Sequence, residues 1–325
     1  MPARRRSGGL VSGPASIKRV ALWAVLPLLL VAGGILLFTR DTWSGGGCDE
    51  QIVAGREPPS TDTLGLAEVV IVSSSGSVSP ITGDWVAVQP SFSPAGDEVV
   101  VVRAEGDYES SGPDHSELWV VGAEGGDARR LTTGPLDDDP DWGPRLDRIA
   151  FLRFDGPTTS LMVVPGEGGE SRVVYRPPDG TWLATPAWSP DGQTMAFLQV
   201  EATSAATDRT TLMVVNGDGE GLRVVAPMPY TQSIDWHPDG DFVLVVSETN
   251  VYKVDIGSGN VAQVATGIHT ARWAPDGERV FFTTSPDGIL YEGTLTAHEV
   301  MPRHRIADLG TGFYKYLDMD VKDCT

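Results

Sequence analysis

The chain has 325 residues, with 24 Lys plus Arg against 44 Asp plus Glu and a formal net charge of −20. Residues 1–40 hold six basic residues and no acid, which leaves 18 basic against 44 acidic residues, a balance of −26, in the other 285; such a surface repels phosphate backbones and argues against a nucleic-acid partner. Gly (38) and Pro (24) are too frequent for a helical bundle, and a hydrophobic content of 41% is too high for a disordered chain.

In chain order, residues 1–19 form a short basic tail rich in Gly, Ser and Arg. Val20 to Phe38 is a run of nineteen residues without a charge, long enough as a helix to cross a bilayer core of roughly 30 Å. Arg4, Arg5, Arg6, Lys18 and Arg19 precede the run and only Arg40 follows closely. The positive-inside rule therefore puts the tail in the cytoplasm and everything after residue 40 outside. A retained single-pass anchor in the cell membrane is the reading adopted. A cleaved signal peptide and lipidation at Cys48 are the alternatives. Residues 39–64, opening with Ser44-Gly-Gly-Gly, are expected to be a stalk. Residues 65–325 are expected to fold as one domain. Cys48 and Cys324 are the only cysteines and bracket the external region; an oxidising compartment predicts a disulfide between them, with two separate thiols as the alternative.

The strongest signal is an internal repeat. Five segments align: 90–102 (PSFSPAGDEVVVV), 140–152 (PDWGPRLDRIAFL), 186–198 (PAWSPDGQTMAFL), 234–246 (IDWHPDGDFVLVV) and 271–283 (ARWAPDGERVFFT). Each reads as a strand ending in an aromatic residue (Phe92, Trp142, Trp188, Trp236, Trp273), a turn, and a run of apolar residues suited to a strand buried on both faces. In four copies the turn is Pro-x-Gly, where proline presets φ and glycine takes a positive φ. The second copy, Pro144-Arg-Leu-Asp147, lacks the glycine and predicts a different turn. After most hairpins comes a further strand, a Gly-rich turn and another strand, as in 118–132, 161–175, 212–226 and 251–265. Units of 40–50 residues with four strands each predict an all-β fold, a β-propeller. Five units occupy roughly 90–308. The leftovers, 67–73 with 78–88 at one end and 313–321 at the other, predict a sixth blade with its inner strand from the C-terminal side; seven blades is the alternative.

In a propeller, the connections between blades cross one face and end at the central opening. Here they carry Trp85, Gln89, Asp137, Asp138, Asp139, Trp182, Thr185, Tyr230, Gln232, Ser233, His269, Thr270 and Phe313. Aromatic surface with a few polar groups is what recognition sites use, and packing on the neighbouring blade is the competing reading for Trp182 and Tyr230. The acidic run Asp137, Asp138, Asp139 and Asp141 is a weak candidate for Ca²⁺, which takes several carboxylate and carbonyl oxygens; a solvated acidic loop is the simpler reading. Of the five histidines, His115 lies in a polar loop, His237 at a turn position, and His298 and His304 near the end of the fifth unit. No Gly-x-Ser-x-Gly elbow and no His-Glu-x-x-His is present.

The segments Trp188-Ser-Pro-Asp-Gly with the strand that follows, and Gly125-Gly-Asp-Ala-Arg-Arg-Leu-Thr, resemble the repeat of TolB-like (WD40-like) propellers, and the resemblance covers most of residues 65–308. It implies six blades, a bacterial extracytoplasmic setting and binding of proteins or peptides. Some relatives of this kind are fused to peptidases. This chain shows no full catalytic domain and lacks room for the N-terminal α/β domain of TolB itself.

These readings lead to a membrane-tethered, extracytoplasmic propeller that binds a protein, a peptide or another component of the cell envelope, expected not to be an enzyme and to need no cofactor. The alternative is a lyase or hydrolase with a metal in the central channel, where His269 would meet Asp138 or Asp139. A sensor signalling through the cytoplasmic tail is a third reading, which the short tail disfavours.

Overall fold

The computed structural model describes residues 50–56, 68–73, 76–83, 85–105, 115–201, 209–229, 231, 233–284, 289–296, 300–309 and 319–322. The expected membrane segment 20–38, Cys48, Cys324, Tyr230, Gln232, His298 and Phe313 lie outside them. Among the described residues no helix is long and apolar enough to cross a membrane.

The described chain consists of strands: β1 (Gln51–Arg56), β2 (Glu68–Ser73) and β3 (Val78–Pro80); β4 (Ala87–Phe92), β5 (Glu98–Glu105), β6 (His115–Gly122) and β7 (Arg129–Arg130); β8 (Asp137–Trp142), β9 (Arg148–Asp155), β10 (Thr158–Pro165) and β11 (Arg172–Tyr175); β12 (Thr181–Trp188), β13 (Thr194–Glu201), β14 (Arg209–Asn216) and β15 (Arg223–Met228); β16 (Ser233–Trp236), β17 (Phe242–Ser247), β18 (Asn250–Asp255) and β19 (Val261–Thr266); β20 (Ile268–Trp273), β21 (Arg279–Thr284), β22 (Ile289–Leu295) and β23 (Val300–Asp308); and β24 (Met319–Val321). They form six four-stranded antiparallel sheets. Blades 1 to 5 are β4–β7, β8–β11, β12–β15, β16–β19 and β20–β23, each in sequence order from the inside out. The sixth, closing blade has the order β24-β1-β2-β3. The six inner strands β24, β4, β8, β12, β16 and β20 contact one another in a closed ring. This is a six-bladed propeller, as expected from the repeat, with the inner strand of the last blade supplied from the C-terminal side.

Two boundaries differ from the sequence reading. Residues 51–56, expected in the stalk, form β1 and pair with both β2 and β24. Residues 87 and 88, grouped with the closing blade, begin the inner strand of blade 1. The reading missed β1 because Gln51–Arg56 lies outside the repeated motif; three of its apolar side chains, Ile52, Val53 and Ala54, are nevertheless fully buried.

The core is divided by blade junction. Six buried clusters lie one at each junction, and the repeated aromatic sits at five of them: Phe92, Trp142, Trp188, Trp236 and Trp273 are all at most 8% exposed. Second strands are sandwiched between neighbouring blades, so both faces are buried; Val99 to Val102 are all 0% exposed, which is why these runs do not alternate. In the four Pro-x-Gly turns the glycine takes positive φ (Gly96, Gly192, Gly240, Gly277). In blade 2 that conformation moves one position along, to Asp147 (φ 44°), whose carboxylate accepts the Trp142 indole N–H at 2.9 Å. The side chain that replaces glycine thus secures the local aromatic.

Candidate functional site

The inner strand of each blade has one edge without a strand partner, and that edge faces the axis. Its backbone N–H groups need acceptors. The repeat supplies them from one register position, the residue immediately before the aromatic: Ser91, Asp141, Ala187, Asp235, Arg272 and, in the closing blade, Asp320 before Val321. Asp141 Oδ2 accepts the Trp188 N–H of the next blade at 2.6 Å. Asp235 Oδ2 accepts the Trp273 N–H at 2.6 Å. Asp320 Oδ2 accepts the Phe92 N–H at 2.8 Å and the Ser91 hydroxyl at 3.2 Å, and the Ser91 Oγ accepts the Trp142 N–H at 3.0 Å. Four of the six junctions are therefore clasped side chain to backbone.

Arg272 occupies the same register position in blade 5, and its charge pulls down the pKa of all three carboxylates. Burial wins over that attraction. It pushes Asp141 up to about 7, against the Trp188 N–H and Arg272 and helped by Asp320 and Asp235. Burial likewise pushes Asp235 up to about 7, against Arg272 and the Trp273 N–H and helped by Asp320. Asp320 is raised by burial despite its N–H donors and Arg272. Three carboxylates and one guanidinium thus share one electrostatic environment at the axis.

A second layer lies two residues earlier. Gln89, Asp139 and Thr185 each precede a proline, sit in a β-bulge, and have φ of 52°, 49° and 47°, a conformation that costs energy in any residue but glycine. The bulge re-aims the side chains. Gln89 Nε2 donates to Asp139 Oδ1 at 2.6 Å, the Asp139 N–H donates to Gln89 Oε1 at 3.1 Å, and the Thr185 N–H donates to Asp139 Oδ2 at 3.2 Å. Ser233 and Thr270 hold the matching positions in blades 4 and 5. They are 7% and 2% exposed, and their hydroxyls, like that of Thr185, have no hydrogen-bond partner. His269 beside them is half-buried, and burial lowers its pKa.

Of the expected site residues, the structure thus brings Gln89, Asp139 and Thr185 into one hydrogen-bonded set, with Thr270 at the matching position in blade 5. It packs the two described aromatics, Trp85 and Trp182, against blade junctions. Trp85 lies 6.1 Å from Trp119, with the Arg103 guanidinium 5.2 Å and 4.7 Å from the two rings. Trp182 packs on the cluster between blades 3 and 4. The acidic run is dispersed among separate partners. Asp137 is fully buried and holds Arg153 through two bonds of 2.6 and 2.8 Å. Asp139 serves Gln89 and Thr185, and Asp141 serves Trp188, while Asp138 is half-buried beside them. Among the described residues no group of three or more His, Cys, Asp or Glu is placed to hold a metal. His115 starts β6 and pairs with Glu117 at 3.2 Å, which raises its pKa. His237 is a packed turn residue, stacked on Phe242 and edge-on to Trp273. Sequence reasoning missed Asp235, Arg272, Asp320 and Ser91 as site residues; reading down the column before the repeated aromatic would have found them.

No family model matches the chain. It is 28% identical over 221 residues to a Bacillus subtilis (strain 168) protein named an uncharacterized peptidase, YuxL; the match covers 66% of this chain and 31% of that protein, so the chain spans about a third of the length of the curated relative. Among solved structures it is similar to a chain of a nidogen/laminin complex (TM-score 0.62, 9% identity, 84% of this chain and 98% of that one) and to TolB from Acinetobacter baumannii (0.61, 13%, 83% and 66%). A manganese complex of oligogalacturonate lyase also shares the fold (0.55, 14%, 71% and 72%). The expectation that the chain is not an enzyme, and its separation from peptidase relatives, is corrected by these findings: the relative is named a peptidase and a structure of the same fold is a lyase. The architecture is that of a TolB-like propeller.

Proposed function

We propose that the propeller recognises a protein or peptide segment at the mouth of its axial channel, in a chain tethered to the cell membrane through residues 20–38 with the propeller outside. The observation that carries this reading is the polar layer at the inner strands. Equivalent positions of successive blades present Gln89, Asp139, Thr185, Ser233 and Thr270, with the conformation of the first three strained and the hydroxyls of the last three unpartnered. Strain and unpaired polar groups are retained where a site uses them. An extended peptide brings the backbone donors and acceptors to match.

The test is binding of a fluorescent peptide array to the full chain and to a Ser233→Ala, Thr270→Val double variant. Removing an unpartnered buried hydroxyl is near neutral for stability, so the variant folds. Loss of peptide binding supports the reading; equal binding by both proteins overturns it.

A second reading, hydrolysis of the bound peptide, is favoured by the name of the curated relative and by two carboxyls with pKa about 7 at one axis, a value suited to acid–base work. Cleavage of the captured peptides by the wild type, lost in Asp141→Asn, would support it.

A further inference from the structure

We propose that the clasp layer of the channel, formed by Asp141, Asp235 and Asp320 with the hydroxyls of Ser233 and Thr270, binds one primary ammonium group of an incoming peptide, either its amino terminus or a lysine side chain. The inference rests on the peptide-binding reading above and names the chemical group that the channel takes.

The layer carries an excess of negative charge. Among the described residues, three carboxylates at one register are offset by the one guanidinium of Arg272, so their full ionisation leaves a surplus of two negative charges at that register. Arg272 acts on all three and fails to bring Asp141 or Asp235 back to the ordinary carboxylate range. One more cation would halve that surplus, leaving a single negative charge. Two buried hydroxyls flank the charged layer. In β16, Ser233 and Asp235 are two apart in a regular ladder and share a strand face. In β20, Thr270 and Arg272 are likewise two apart beyond the bulge. Both hydroxyls are more than nine-tenths buried and unpartnered, so each places an acceptor next to the charged layer. An ammonium has three N–H donors and no acceptor, which suits a site of carboxylate and hydroxyl oxygens.

Each of the three carboxylates accepts a backbone N–H. Asp141 and Asp235 each use Oδ2 on a backbone N–H. Asp320 is more fully engaged, with Oδ1 taking the Val321 N–H at 2.8 Å, and contributes chiefly its charge.

Binding should therefore depend on pH. Among the described residues, the titratable or charged groups that face the layer are Asp139 and Asp141 from β8, Asp235 from β16, His269 and Arg272 from β20, and Asp320 from β24; β4 and β12 present the neutral Ser91 and Ala187. A lysine probe stays charged between pH 6 and 8 while Asp141 and Asp235 ionise, so its affinity should rise at least about tenfold over that range.

The experiment uses the full chain in lipid nanodiscs and three probes: Ala-Ala-Ala-amide with a free amino terminus, N-acetyl-Ala-Lys-Ala-amide, and N-acetyl-Ala-Ala-Ala-amide, which has no cation. The readout is the backbone amide resonances of Trp188 and Trp273, the donors to Asp141 and Asp235. The expected result is saturable shifts with the first or second probe, which identifies terminus or side chain as the source. The neutral probe should bind at least tenfold more weakly, and the cationic probe should lose at least tenfold in Asp141→Asn or Asp235→Asn. Asparagine keeps the acceptor for the N–H, and Tm confirms the fold. Equal binding of the neutral and cationic probes overturns the ammonium site while leaving peptide recognition standing. Failure of every probe, together with equal array binding by the double hydroxyl variant, overturns both. Equal shifts with Ca²⁺ alone, abolishing the response to the amines, would identify an inorganic cation site and overturn the proposal.

Discussion

Replacing Asp141 with Asn should stabilise the propeller at high pH and not in acid. Asn keeps a carbonyl oxygen for the Trp188 N–H, bonded at 2.6 Å in the native protein, and removes only the charge. The carboxyl is raised from 3.8 to about 7, so the folded state binds more protons than the unfolded state between those values, and stability falls as pH rises through that window. At about 1.4 kcal/mol per pH unit the charge costs roughly 4 kcal/mol above pH 7. Protons shared with Asp235 and Asp320 reduce the share of any single group, leaving an expected gain of about 2–4 kcal/mol for Asp141→Asn at pH 8, or roughly 5–15 °C in Tm for a domain of this size. At pH 4 the wild-type carboxyl is already protonated when folded, and the gain should vanish. Urea unfolding followed by tryptophan fluorescence at pH 4 and pH 8 gives both numbers. A gain of equal size at the two pH values, or a loss at pH 8, would refute the assignment of a buried charge to this position.

Asp137→Ala should destabilise by about 3 kcal/mol, near the lower end for breaking a buried ion pair, because Arg153 is a quarter exposed and can regain water; Asp137→Leu with Arg153→Met should recover most of it in the same unfolding assay. Trp182→Ala should cost about 2–3 kcal/mol in urea unfolding, since the ring packs at the junction of blades 3 and 4. Thiol titration of the denatured, unreduced chain should find no free cysteine. The β24–β1 register continues to the bond from the Lys322 N–H to the Gln51 carbonyl, which brings the two segments together within three residues of Cys48 and Cys324; reduction should lower stability by about 4–5 kcal/mol for so long a loop.

The fold was legible because one physical problem is solved in the same way at five of the six junctions. Each of these five needs a large aromatic, a turn that reverses the chain and a strand buried on both faces, and the chain writes this most plainly as Trp-x-Pro-Asp-Gly before a run of apolar residues, in three copies. The closing blade was half legible: its inner strand was expected from the C-terminal side, but β1 has no such motif, since its burial comes from pairing with β2 and β24. The polar layer of Gln89, Asp139 and Thr185 was found from topology, because connections between blades must end at the axis. The clasp layer was missed because Asp235, Arg272 and Asp320 look like ordinary polar neighbours of a core residue. Only the ring geometry shows that they satisfy N–H groups on the edge facing the axis. The aromatics Trp85 and Trp182 were placed near the right face, but a connection that crosses a blade junction also covers its core, and their rings fill that role.

Arg272 ties the structural and the functional use of the channel together. It stands where the other blades carry Asp, Ser or Ala, and it lowers the pKa of Asp141, Asp235 and Asp320 at once. Arg272→Met should therefore raise all three carboxyls further. The cost should be small at pH 4, where the acids are protonated in both proteins, and grow with pH to several kcal/mol, because the folded state must then carry three mutually repelling charges or hold on to protons that the unfolded state releases. Adding Asp141→Asn to Arg272→Met should return part of that loss at pH 8, since removing one charge relieves the other two. Additive effects of the two substitutions at pH 8 would show that the arginine and the aspartate do not share an environment. Non-additive rescue at pH 8 that disappears at pH 4 is the signature of one coupled charge cluster, in which the groups that hold neighbouring blades together also set the net charge offered to whatever enters the channel.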